Sequence, residues 1–152
     1  MGPVRKSRIE QDVSENQAQV QEWIDAGELE AQGAPGVSSA AVWNAVERLC
    51  RSRTISGCTR LTQLLAFVVA STLRGESAYL KETTIGVYVF GRDPDYDPKV
   101  DTIVRSQAWR LRAKLRKYYA SEGANDPIVI DIPIGHYVPV FRAREAGAGG
   151  LR

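Results

Sequence analysis

Histidine is nearly missing from this chain: His136 stands alone among 152 residues. Cysteine is scarce too, with only Cys50 and Cys58. A structural zinc site takes about four ligands, so no metal site is expected. The cysteines read as small buried apolar groups or free thiols of a reducing compartment rather than a disulfide framework. His136 has no Cys or Ser nucleophile with a partnering acid in a recognisable motif, and "GVYVFG" lacks the glycine spacing of a dinucleotide site. Nothing points to catalysis, and neither an enzyme nor a cofactor is expected. Long apolar runs are missing as well. The best candidate, "LLAFVVASTL", is half the roughly 20 residues that cross a bilayer and reads as a buried helix. The start, "MGPVRKSRIEQ", has no apolar core of the secretory kind. The expected location is therefore the cytoplasm, with no membrane partner.

One absence is local and more informative. The stretch "IVRSQAWRLRAKLRKYY", residues 103–119, carries six Lys/Arg and no acid. A helix made only for solubility mixes Glu at i,i+4 with its Lys and Arg, and this one does not. The net charge of +2 hides the asymmetry. Residues 1–36 hold three Lys/Arg against seven Asp/Glu, whereas the remainder holds seventeen against eleven. An acidic start and a basic body look like parts with different tasks.

Residues 1–36 read as an acidic, partly disordered extension, with a weak amphipathic helix over 14–30 built on Val20, Trp23 and Ile24. "AQGAPGVSS" is a linker. The ordered domain is expected over 37–142, with a flexible tail from 143 to 152. Ser38 or Ser39 can cap a first helix whose Val42, Val46 and Leu49 recur at helical spacing. A second helix opens at Thr59 and carries Leu61, Leu64, Leu65, Val68, Val69 and Leu73, with Gly75 as its stop. It should be the centre of the core. "YLKETTIGVYVFGR" is ambiguous: its β-branched and aromatic residues favour a strand, while Ile85 and Val89 sit four apart. "RDPDYDPKVD" is a loop. Its alternating Asp93, Asp95 and Asp97 imitate a calcium loop, but Pro98 and Val104 stand where Gly and Glu are needed. Asp101 is a candidate cap for the basic helix and Gly123 its stop. "PIVIDIPIGHYVPVF" reads as two short strands around "PIGH", with Tyr137 anchoring the hairpin to the core.

On the basic helix, taken as 102–120, Val104, Ala108, Leu111, Leu115 and Tyr118 form a stripe that packs on the core. Arg105, Trp109, Arg112 and Arg116 repeat the same spacing one residue further round, flanked by Thr102 and Ser106. Gln107, Arg110, Lys114 and Lys117 fall on a third side. The planar arginine fork suits phosphates and guanine edges, and a helix of this width fits the B-DNA major groove. Trp109 offers an apolar plane to thymine methyls and sugar, or to a protein.

A short element, a long basic helix and a hairpin ending "GHYVPVF" follow one another, and in that order "VRSQAWRLRAKLRKYY … IVIDIPIGHYVPVF" resembles the C-terminal DNA-binding domain of OmpR/PhoB-type response regulators. A longer likeness, over "LLAFVVASTLRG", "LKETTIGVYVFGRDPDYDP" and the segments after them, is to a bacterial winged-helix domain often found ahead of adenylate-cyclase, TPR or β-propeller regions. With no receiver and no appended cyclase, the chain looks like a stand-alone version. The resemblance implies a mainly α fold with a small β-hairpin, a winged helix-turn-helix with an N-terminal helical extension. It turns the ambiguous element into a helix over about 82–90. It also implies a DNA-binding transcriptional regulator whose partner is double-stranded DNA, at the nucleoid. Arg105, Ser106, Trp109 and Arg112 would meet bases. Lys81 and Thr83 would contact phosphates, with Arg110, Lys114, Arg116 and Lys117 holding others, and Thr102 would belong to the DNA-binding set at the N-terminal end of the helix. A wing over 128–141 would bring His136 beside the groove, although Pro133, Ile134 and Gly135 stand where the response regulators often have a minor-groove arginine. One such domain buries a modest surface, so specificity calls for a homodimer or a protein partner through 14–30. The alternative is a protein-interaction module anchored by Trp109.

Overall fold

The computed structural model describes residues 37–144. The expectations for 1–36, including the helix over 14–30, and for 145–152 lie outside the described residues. Four α-helices and one two-stranded antiparallel hairpin make up the described part, with a single 3-10 turn at Ser77–Tyr79. The mainly helical class with a small hairpin is thus observed.

Helix α1, Ser39–Arg51, starts where the Ser38 hydroxyl accepts the Ala41 N–H at 3.1 Å. Val42, Val46 and Leu49 are fully buried, and Trp43 joins them. Helix α2, Thr59–Leu73, carries the expected broad apolar face and is buried along most of its length. It packs on α1 and α4, which makes it the centre of the core. Its end is closed by Gly75, at φ +78, with the Glu76 N–H on the Ser71 carbonyl.

Helix α3, Glu82–Tyr88, occupies the ambiguous stretch. The β-branched residues lose to burial: a helix puts Ile85 and Val89 on one face, and both are buried. It is shorter than the expected 82–90. The loop that follows is not slack. The Tyr96 hydroxyl donates to the Glu82 carbonyl at 2.9 Å, and Arg92 pairs with Asp101 at 2.6 Å. The Tyr96 ring lies so close to Gly86 that any Cβ there would overlap it.

Helix α4, Ile103–Ala120, buries Val104, Ala108, Leu111, Leu115 and Tyr118 as their spacing predicts. Gln107 is buried with them, which corrects its placement on the basic side. Asp101 is not the N-cap. Thr102 takes that position without a side-chain bond, while Asp101 accepts the Ile103 N–H at 3.2 Å from one residue further out. Beyond the helix, the Tyr118 ring fills the space beside Gly123, so the glycine answers a close approach rather than a positive φ. The Tyr118 hydroxyl donates to Asp126, which also pairs with Arg48 at 3.4 Å.

Strands β1, Ile128–Asp131, and β2, Val140–Ala143, pair with Ile128 opposite Ala143 and Asp131 opposite Val140. Ile128, Ile130, Ile132 and Phe141 face the core, and β1 packs on α1 and α4. The Tyr119 hydroxyl accepts the Ile130 N–H at 3.0 Å. Pairing continues to Ala143, one residue beyond the expected domain end at 142 and into the expected tail.

Glu122 ties the end of α4 to the turn after α1. It accepts the Thr54 hydroxyl at 2.7 Å and the N–H groups of Thr54 and Arg53 at 2.9 and 3.0 Å. The Thr54 hydroxyl, then the Arg53 amide, hold this carboxyl below its usual range. A depressed folded pKa contributes stability that is present above the unfolded pKa and lost as pH falls through the folded one. Glu122→Gln is therefore expected to lower stability at pH 7 and to flatten its decline between about pH 5 and pH 3. Chemical denaturation across that range measures it.

Candidate nucleic-acid interface

The stripe that buries α4 leaves its opposite side to solvent. Arg105, Ser106, Trp109, Arg110, Arg116 and Lys117 are exposed, as is Thr102 before them, and Lys114 is half-buried. At 100° per residue, Arg105, Trp109 and Arg116 fall within roughly 40° of one another, and Arg110 and Lys117 within roughly 20°. Trp109 is 69% exposed, far more than a core tryptophan permits. No carboxylate lies on α4 itself. Lys81 and Thr83 are exposed at the start of α3, and His136 is exposed in the hairpin loop.

Two of the arginines are already engaged. Arg112 is half-buried and faces the hairpin. Its Nε donates to the Ile132 carbonyl at 2.9 Å, and its Nη2 to the carbonyls of Pro133 and His136 at 3.3 and 2.8 Å. Its guanidinium also lies 5.9 Å from the centre of the Tyr137 ring. The fork that was expected to read a base here fastens the hairpin loop to α4. Arg105 donates from Nε to the Glu82 carboxylate at 2.8 Å and, more weakly, from Nη2 to the Pro98 carbonyl at 3.4 Å. The bond to Glu82, and then the charge of that carboxylate, raise the Arg105 pKa above its ordinary value.

His136 contributes its backbone carbonyl to Arg112 and accepts the Val138 N–H on Nδ1 at 3.2 Å. In the neutral ring the proton then sits on Nε2. Tyr137 is half-buried between helix and hairpin, as expected of an anchor. Its burial, reinforced by the Glu82 carboxylate, pushes its phenol above the usual range.

Glu82, Gly86 and Tyr96 escaped the sequence reading. The contacts that give them roles run from α3 into the loop and to α4, and no local spacing signals them. The arrangement offers hydrogen-bond donors, fixed positive charge and one exposed ring, the equipment of a surface for a polyanion. Elsewhere, burial and then the Glu47 charge push the Cys50 thiol up to about 11, which keeps it protonated at neutral pH. Among the described residues, no cluster of three or more His, Cys, Asp or Glu could hold a metal ion, and no helix is long and apolar enough to cross a membrane. No family model matches the chain, and neither a curated protein nor a solved structure is significantly similar to it.

Proposed function

We propose that this chain is a DNA-binding transcriptional regulator of the winged helix-turn-helix kind. Helices α3 and α4 are the helix-turn-helix, the pinned loop of residues 91–101 is its long turn, and the β1–β2 hairpin is the wing. One observation carries the reading: the outer side of α4 exposes Arg105, Trp109, Arg110, Arg116 and Lys117 with no acid on the helix, while its other side holds the core. Such a helix can enter a major groove about 12 Å wide and reach base edges and both backbones. Arg105, Ser106 and Trp109 meet bases. Arg110, Lys114, Arg116 and Lys117 hold phosphates, joined by Lys81, Thr83 and Thr102. Arg112 sets the wing, which brings His136 beside the groove. A second copy, joined through residues 14–30, would double the modest surface that one domain offers. The cytoplasm and its nucleoid are the corresponding place of action.

Binding of the intact chain to labelled random-sequence duplex, followed by fluorescence anisotropy at rising salt, tests this. The logarithm of the binding constant should fall linearly with the logarithm of salt, by about 0.9 for each phosphate neutralised. No salt-sensitive binding at low ionic strength would sink the proposal. The second reading, a protein-docking module, draws on the exposure of Trp109 and of Ile134, which is 84% exposed. It predicts an interaction that Trp109→Ala removes and salt barely affects.

A further inference from the structure

Resting on the DNA-binding reading, we propose that Glu82 is a specificity-determining positioning residue: it holds Arg105 in one orientation for a base edge and keeps that arginine off the phosphates. The geometry is asymmetric. The Glu82 carboxylate takes the Nε–H of Arg105 at 2.8 Å, and the Pro98 carbonyl takes an Nη2–H at 3.4 Å. Among the described residues nothing accepts from Nη1, so the end of the fork, Nη1–H with the other Nη2–H, stays available. That end can donate two parallel bonds to the O6 and N7 of guanine. The side of the fork that would otherwise wrap a phosphate is the side Glu82 occupies.

Glu82 can act this way because it is itself fixed. It opens α3, its carbonyl accepts the Tyr96 hydroxyl at 2.9 Å, and the Tyr96 ring is seated against Gly86. Its side chain is 21% exposed, against 53% for Arg105, so the carboxylate is the set end of the pair and the guanidinium the presented end. A carboxylate in a basic surface also opposes any phosphate that approaches it. Glu82 therefore weakens binding to arbitrary DNA while it sharpens the choice of sequence.

The test compares two probes: a random-sequence duplex, and a duplex enriched by repeated selection on the wild-type chain. Glu82→Ala is expected to raise affinity for the random duplex several-fold and to steepen its salt slope by about 0.9, the effect of one further phosphate contact. It should lower the ratio of selected to random affinity by about tenfold, within the range of one lost bidentate base contact. Glu82→Gln, which keeps an acceptor but no charge, should raise random affinity while retaining most of that ratio. In an Arg105→Ala background, Glu82→Ala should leave the ratio unchanged, which a merely structural role for Glu82 would not produce. The inference is overturned by an unchanged ratio in Glu82→Ala, by an equal fall in both backgrounds, or by a wild-type chain that binds duplex without preference. A wild-type chain that binds no duplex at all instead overturns the reading beneath it.

Discussion

Replacing Arg110, Arg116 and Lys117 together by alanine is expected to lower affinity for duplex DNA by about a hundredfold at 0.1 M salt, and to reduce the salt slope by about 2.7. The folded chain should hardly notice. All three side chains are exposed, and among the described residues no ion pair or hydrogen bond fastens any of them. Surface substitutions of this kind usually change stability by less than about 0.5 kcal/mol, and alanine is the better helix former. A loss of binding with an unchanged unfolding transition is therefore a statement about charge at the surface. Anisotropy titrations at several salt concentrations, beside thermal unfolding of the same preparations, give both numbers. If the triple variant keeps its affinity and slope, the outer side of α4 is not where DNA lies. Combining the substitutions matters because each cation alone removes only one increment of slope.

The core was far more legible in the sequence than the surface. Apolar spacing is a local property, and it located α1, α2 and the inner stripe of α4. The cap could be narrowed to Ser38 or Ser39 because a cap accepts a bond from within the next turn, and Ser38 is the one that does so. Helix α3 was less accessible: its residues favour a strand by propensity, and only their burial against the rest of the core makes a helix. Gln107 was misplaced because helical geometry puts it at the margin of the buried stripe, where the neighbouring chain decides. The charged groups were harder still. Arg105 meets Glu82 from 23 residues away, and Arg112 reaches carbonyls 20 to 24 residues away. Such pairings leave no periodic trace, so an arginine stripe read from spacing cannot be divided into arginines that face outward and arginines that hold the structure.

That division makes Arg112 the sharper case. Arg112→Ala is expected to destabilise the chain by about 2 kcal/mol, since it deletes charge-assisted bonds to three carbonyls. The site is half-buried, so water recovers part of the loss, and the figure sits below the sum of three such bonds. The contact with the Tyr137 ring goes as well. For a domain of this size the unfolding midpoint should fall by roughly 10 °C. Arg112→Lys should recover less than half of that. An ammonium is a point charge and cannot meet the Ile132 and His136 carbonyls through a planar fork. Thermal unfolding reads the midpoint, and hydrogen exchange at Tyr137 and Val138 shows whether the hairpin loop opens first. A residue kept for base reading would behave oppositely: its removal would leave the midpoint in place and change only which duplex is preferred. An unchanged midpoint in Arg112→Ala would thus return this arginine to the groove. A lowered one means that Arg112 serves the fold, so that the reading surface proposed for α4 is narrower than its spacing suggests, centred on Arg105 and Trp109, with the hairpin held beside them by the Arg112 bonds.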